Sequence, residues 1–279
     1  MRSIANIRRR LDSLAEDNLS FARKVGLLSL EDGQVKASPL GQQALAYRGS
    51  NNLKSEGILL RLILDSGYNS YLAVLMRLNE LGGRITIPTK GSQRKSGSQL
   101  EKELSQYGLD IDLASFFTIR DLFYDFGLLN VFYDMASRVE TILLTCEIKS
   151  KGPCNDSYEA LVQLSGVSIC YWRKIPIVRF KKEITRAYLQ ATGKKWDQWY
   201  DILSIRDIVA KELRISDRQF NSLLLQLLDD AKGAFIRVTE GYTPKKVTYG
   251  YSIKSIQLPE TTQGVLIRYI ALIPERVAD

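Results

Sequence analysis

Apolar residues recur at intervals of three and four along much of the chain, and short stretches of alternating apolar and polar residues separate these runs. The first spacing predicts amphipathic helices, and alternation predicts half-buried strands. In the C-terminal third, the apolar stripes are Ile205, Ile208, Val209 and Leu213, then Phe220, Leu223, Leu224, Leu227 and Leu228. We therefore predict two helices joined by a tight turn at Arg214-Ile215, the second covering 217–230. Ser216 and Gln219 match an S-x-x-Q capping box at its start.

The N-terminal part repeats this mixture of helix and strand patterns. Residues 3–16 predict a helix, and 26–30 and 34–38 predict two strands joined by a turn at Glu31-Asp32-Gly33. Ser38-Pro39 is typical of a helix start, with Ser as the N-cap and Pro at the first helical position.

The middle of the chain gives a second series of elements and a less regular segment. The predicted helices cover 56–65, 69–81, 100–108 and 113–127. A strand is predicted at 84–88, a basic loop at 89–99, and a hairpin from 128–134 and 140–148. The segment 157–166 favours a short helix, 178–192 favours a longer one, 234–256 a hairpin, and 264–273 a final strand.

Helices followed by a hairpin recur three times in this order. The sequence therefore predicts a mainly α chain with small antiparallel β-hairpins, an α+β chain built from tandem winged-helix units. The predicted boundaries are an N-terminal helix and winged-helix-like hairpin at 1–50, a second such unit at 51–151, a connecting segment at 152–176 and a C-terminal winged helix-turn-helix at 177–279.

The C-terminal helix pair has the polar positions of a DNA-reading helix. Arg218, Ser222 and Gln226 face away from the apolar stripe, and Gln219 and Asn221 flank it. Such side chains bond base edges and phosphates. The alternative is a helix face that is only solvated.

Residues 177–258 resemble the winged helix-turn-helix family of DNA-binding proteins. The resemblance implies groove-facing positions at Arg218, Asn221 and Ser222, and a phosphate-contacting wing at Lys245 and Lys246. Residues 21–90 are similar, in pattern and segment order, to winged-helix recognition regions of some type IIS restriction endonucleases.

Composition narrows the chemistry that the chain can perform. A formal charge of +8 favours an anionic partner. Lys90, Arg94 and Lys95 in the basic loop could contact a nucleic-acid backbone, and five positive residues fall within 173–183. The absence of histidine excludes imidazole general bases and Ser-His-Asp triads. Three cysteines without CxxC spacing predict reduced, partly buried thiols and no zinc site.

Two other functions stay open at this point. Asp134, Glu147 and Lys149 resemble the D…ExK core of Mg²⁺-dependent nucleases, although a structural hairpin explains the same residues more simply. The chain could instead be the recognition or scaffolding subunit of a restriction or anti-phage defence assembly, acting through a protein partner.

The favoured prediction is a prokaryotic, cytoplasmic protein that binds duplex DNA without catalysis, as in transcription regulation. It needs no cofactor or metal and has no membrane segment. The oligomeric state and the target sequence are open.

Overall fold

The computed structural model describes residues 23, 27–31, 34–39, 41–42, 53–65, 69–88, 97–134, 137, 139–150, 152, 155–164, 166–231, 235–240, 247–249, 252–254 and 266–274. The helices are α1 (Leu53–Asp65), α2 (Asn69–Glu80), α3 (Gly97–Gln106), α4 (Leu113–Asp125), α5 (Ile177–Ala191), α6 (Ile202–Leu213) and α7 (Asp217–Ala231). The strands are β1 (Leu28–Glu31), β2 (Gln34–Ala37), β3 (Arg84–Pro88), β4 (Leu129–Asp134), β5 (Val139–Leu144), β6 (Glu147–Lys149), β7 (Tyr158–Leu164), β8 (Val167–Arg173), β9 (Tyr200–Asp201), β10 (Ile236–Glu240), β11 (Val247–Tyr249), β12 (Ser252–Lys254) and β13 (Ile267–Leu272).

Most of the described strands join in sheets of three, which isolated hairpins would not form. Of the described residues, 46% are helical and 31% lie in strands. Three antiparallel sheets have three strands each, in the orders β3-β5-β4, β6-β8-β7 and β10-β13-β9. Two of these strands, β7 and β8, fill most of the segment 152–176, which was predicted to be only a connection. The prediction of a mainly α chain built from tandem winged-helix units is therefore wrong, and the described chain is an α+β structure.

The segment predicted as a short helix at 157–166 contains β7 instead. Its residues Glu, Ala, Leu and Gln favour helices, and this composition is the reason for the wrong prediction. In the structure, Tyr158, Ala160 and Val162 are buried and alternate with more exposed neighbours such as Leu161. This period of two marks a half-buried strand. Gly166, with a φ of +82°, helps turn the chain into β8.

A first hydrophobic core is formed by α1 to α4 with the sheets β3-β5-β4 and β6-β8-β7. The predicted hairpin of β4 and β5 is confirmed, with Leu129 opposite Leu144 and Asp134 opposite Val139. An N-cap starts α4, because the Asp112 side chain accepts a hydrogen bond from the Ser115 amide at 2.9 Å.

A second core packs α5, α6 and α7 against the sheet β10-β13-β9. Here the predicted hairpin over 234–256 is wrong, because β10 pairs with β13 and β11 pairs with β12. The reason lies in burial: β13 places Leu272 and Ile270 opposite Ile236 and Val238 of β10. Both β13 side chains are fully buried. Apolar cross-strand pairs of this kind stabilise a sheet more than a polar hairpin does.

The two predicted C-terminal helices and the tight turn between them are confirmed. Asp201 caps α6 by accepting a hydrogen bond from the Leu203 amide at 2.8 Å. Arg214 ends α6 in the left-handed region, with a φ of 51°. Ser216 then caps α7, since its hydroxyl accepts from the Gln219 amide at 3.1 Å. The turn is thereby fixed by local hydrogen bonds at both sides.

At the N-terminus, the predicted hairpin of β1 and β2 is confirmed as an antiparallel pair. The Gly41 amide donates to the Ser38 hydroxyl at 3.0 Å, as expected of an N-cap. The predicted helix over 3–16 lies outside the described residues. None of the described helices has the length and apolar character required to cross a membrane.

Candidate functional site

A cleft of about 470 Å³ opens where the two cores meet. Its walls are the end of β8, the start of α5, the turn between α6 and α7, and the Gly82-Gly83 turn before β3. We call it the basic cleft, because Arg173, Lys174, Arg179 and Arg214 line it.

The positive charge of the basic cleft is not neutralised by neighbouring carboxylates. Within the part of the chain that the structure describes, none of the four cations forms an ion pair. The acidic residue in the lining is Glu147, and its carboxylate lies 3.7 Å from the Lys149 ammonium. Four cations against one carboxylate give the lining a net positive charge, and a cleft with such an excess concentrates counter-ions. The basic cleft therefore attracts anions.

Arg173 is held by its backbone and keeps one donor unused. The Gln219 side chain makes two hydrogen bonds to the backbone of Arg173. Its oxygen accepts from the Arg173 amide at 3.2 Å, and its nitrogen donates to the Arg173 carbonyl. The guanidinium lies over the Tyr158 ring, 5.6 Å from the centroid. Its Nε is buried and has no hydrogen-bond partner among the described residues. A buried donor without a protein partner calls for an acceptor from outside the chain, such as an ordered water or a ligand oxygen.

Arg214 reaches the basic cleft from the helix turn. Its Nη2 donates to the Gly82 carbonyl at 3.0 Å, which fixes the guanidinium against the neighbouring turn. Close approach requires glycine at position 83, where an added Cβ would lie 3.2 Å from Arg214 Nη2 and 3.3 Å from the Leu144 Cβ. A φ of +74° at Gly83 also favours glycine.

A buried charge network holds the start of α7 against the first core. Asp217 is 2% exposed and lies 3.0 Å from the guanidinium of Arg206, which is equally buried. The Tyr124 hydroxyl donates to the same carboxylate at 2.6 Å, and the Asn130 amide donates at 2.7 Å. This network fixes the turn that carries Arg214.

The network also shifts the ionisation of its members. Burial raises the pKa of Tyr124 well above 10.0, and the neighbouring Asp217 carboxylate raises it further. For Arg206, burial lowers the pKa, but the surrounding carboxylates, Asp217 first, outweigh it and raise the net value.

The structure separates the predicted DNA-reading residues of α7 into two groups. Arg218 is half-buried, donates to the Asp125 carbonyl at 3.1 Å, and lies over the Trp172 ring. Gln219 is buried and occupied by Arg173, so a base edge cannot reach it in this arrangement. The second group is Asn221, which is half-buried, with Ser222 and Gln226, which are exposed.

The remaining predicted DNA contacts fall on residues that the structure does not describe. Lys90, Arg94 and Lys95 of the predicted loop, and Lys245 and Lys246 of the predicted wing, lie outside the described residues.

The three residues of the predicted nuclease core do not come together. Asp134 lies opposite Val139 at the start of β5, and Glu147 follows the end of the same strand. A strand of six residues spans about 17 Å, whereas Mg²⁺ ligands lie about 2.1 Å from the ion. Asp134 instead accepts hydrogen bonds from the amide and hydroxyl of Ser137 in its turn. The described residues contain no group of three or more His, Cys, Asp or Glu placed to hold a metal ion.

The cysteines differ from the expected set of reduced thiols. Cys146 is free and buried, and burial raises its pKa to about 12, so it is a protonated thiol at neutral pH. Cys170 is disulfide-bonded, so the expectation is wrong for this residue. Sequence spacing alone does not reveal such pairing.

Sequence reasoning identified the basic run 173–183 but did not connect it with Arg214, which it treated only as a turn residue. The two are distant along the chain, and the tertiary fold brings them together. Comparison with protein-family models, curated proteins and solved structures gives no match to this chain.

Proposed function

We propose that the protein binds duplex DNA without catalysing a reaction, and that backbone phosphates enter the basic cleft. The observation that carries the proposal is the group of four cations that no described carboxylate neutralises. Phosphate contacts by Arg and Lys supply most of the affinity in non-specific DNA binding. The net charge of +8 supports the same class of partner.

The outer face of α5 extends the basic cleft along the protein surface. Arg179 lies at the cleft and is exposed, and Lys182 follows one helical turn later, also exposed. Residues three apart on a helix are neighbours on its surface. A DNA backbone lying across the cleft would therefore meet Lys182 next.

Base reading is assigned to the exposed part of α7 in this proposal. Ser222 and Gln226 lie one turn apart and can bond base edges. Asp229 and Asp230 are exposed near the end of the same helix and would repel phosphate. The proposed DNA path therefore follows the basic cleft and α5, and leaves the end of α7 free.

Salt-dependent fluorescence anisotropy with a random labelled duplex tests the proposal. Five phosphate contacts, from the four cleft cations and Lys182, give a slope of about −4.5 for log K against log salt concentration. Affinity should then fall about 500-fold between about 50 and 200 mM salt. In the double variant Arg179→Gln/Lys182→Gln, the slope should become shallower, at about −2.7.

A matched control removes one Arg and one Lys elsewhere. Arg61 on α1 and Lys102 on α3 are exposed and do not line the basic cleft. The variant Arg61→Gln/Lys102→Gln should keep the wild-type slope. Absence of duplex binding at 50 mM salt would refute the proposal, and so would equal slopes for the two double variants.

A further inference from the structure

The size of the basic cleft suits a ligand smaller than a duplex. Its volume of about 470 Å³ lies within the range of about 300–1,000 Å³ that is usual for small-molecule sites. A duplex lying across the surface could place only the edge of its backbone inside. A single phosphate group would leave most of the volume empty. The cleft therefore has room for a phosphate together with a sugar and a base.

Two arginines in the lining of the basic cleft offer donors for one phosphate. Arg173 Nε is buried without a partner, and Gln219 fixes the backbone that carries it. Arg214 uses Nη2 for the Gly82 carbonyl, which leaves other guanidinium N–H groups for a ligand. Arginine binds phosphate oxygens in a planar, two-point geometry that a lysine ammonium does not provide.

Besides its cations, Glu147 and a few apolar side chains, the lining contains uncharged polar groups. Asn79 and Asn155 are both exposed there, and Tyr158 lies under Arg173. The Asn155 side-chain oxygen already accepts from the Ser157 amide at 3.2 Å, so its NH₂ group is the part that can donate to a ligand. Asparagine amides match the donor and acceptor edges of nucleobases. The lining thus combines phosphate donors with groups suited to a base or sugar.

We propose that the basic cleft binds one nucleotide unit, with its phosphate held by Arg173 and Arg214. This inference rests on the proposed function in that the same cleft attracts nucleic-acid phosphate. The nucleotide is either the 5′-phosphorylated end of a strand or a free nucleoside 5′-phosphate, since both present the same chemistry.

Isothermal titration of the full chain with adenosine 5′-monophosphate, adenosine and inorganic phosphate tests the inference. The monophosphate should bind at least about tenfold more tightly than either of the other two, because only it uses both parts of the cleft. Arg173→Gln and Arg214→Gln should each weaken monophosphate binding about tenfold or more. Lys102→Gln, at an exposed position of α3 outside the cleft lining, should leave it unchanged.

Two 16-nucleotide single strands, one with a 5′-phosphate and one with a 5′-hydroxyl, distinguish the sources. Preference for the phosphorylated strand over both the hydroxyl strand and the free monophosphate assigns the site to a strand end. Binding of the monophosphate with equal binding of the two strands assigns it to a free nucleotide. Equal binding of inorganic phosphate and the monophosphate would overturn the inference, as would no binding of either. Duplex binding without nucleotide binding leaves the proposed function intact, and nucleotide binding without duplex binding refutes that function alone.

Discussion

Replacing Asp217 by alanine should remove the centre of the network that joins α7 to the first core. The carboxylate accepts hydrogen bonds from Tyr124 and Asn130 and pairs with Arg206 at 3.0 Å. Arg206 is 2% exposed, so its guanidinium cannot turn to water when the partner is lost. The substitution therefore leaves a buried cation whose principal compensating charge is missing.

The expected loss follows from this burial. Removing one member of a buried ion pair costs about 3–5 kcal/mol, because the remaining charge stays desolvated. The loss is large beside a total stability of about 5–15 kcal/mol for a folded protein. With a urea m-value of about 3 kcal/mol/M, as suits a chain of this size, the midpoint of unfolding should fall by about 1–1.7 M.

Urea denaturation followed by tryptophan fluorescence measures the effect, since the chain has three tryptophans. Asp229→Ala is the control, because Asp229 is exposed on the same helix and should change stability by no more than about 0.5 kcal/mol. A loss below about 1 kcal/mol in Asp217→Ala, with an unchanged m-value, would refute the reasoning. It would mean that Arg206 finds water or another carboxylate at little cost.

Two further predictions concern the same region. Gly127→Ala should lower stability by about 1–3 kcal/mol, because φ is +70° there and a Cβ would lie 2.9 Å from the Ser216 hydroxyl that caps α7. Gly152→Ala is the control, because φ is +91° there and no described atom lies within 4 Å of the added Cβ, so it should lose less stability. Equal urea midpoints for the two glycine variants would contradict the clash at Gly127. Tyr124→Phe should cost about 2 kcal/mol at pH 8, because the lost hydrogen bond is to a charged carboxylate. The raised pKa of Tyr124 stabilises the folded wild type, and this contribution is complete below about pH 10 and is lost as pH rises towards the folded-state pKa. The variant has no phenol to ionise, so its stability deficit relative to the wild type should shrink by about 1.4 kcal/mol between pH 8 and pH 11. A deficit that stays constant between the two pH values would contradict a buried, neutral phenol.

The sequence predicts α7 well because its evidence is local. Four of the five residues in its predicted stripe are buried, and its observed end, Ala231, is one residue beyond the prediction. The capping box is only half formed. Ser216 accepts from the Gln219 amide as predicted, but the Gln219 side chain turns to Arg173. The backbone of Arg173, distant in sequence, thus takes the Gln219 side chain away from the cap, and no local sequence pattern contains this information.

The strands and the basic cleft were harder to predict for a related reason. The segment of β7 has helix-favouring composition, but its alternation makes it a strand, and β10 pairs with β13, whose Ile270 and Leu272 are fully buried, rather than with its neighbour in sequence. The cleft depends on the contact between Arg214 and Gly82, which are separated by 132 positions. Composition indicates excess positive charge, but only the tertiary fold places that charge in one cleft.

The two hydrogen bonds between the Gln219 side chain and the Arg173 backbone affect how the molecule unfolds. Together with the contacts of Asp217 to Tyr124 and Asn130, it joins β8 and α4 of one core to α7 of the other. Separating the cores would expose donors and acceptors that each half satisfies only through its neighbour. Opening at residue 176, where the chain passes from the first core to the second, is therefore disfavoured. Both cores should unfold in a single cooperative transition.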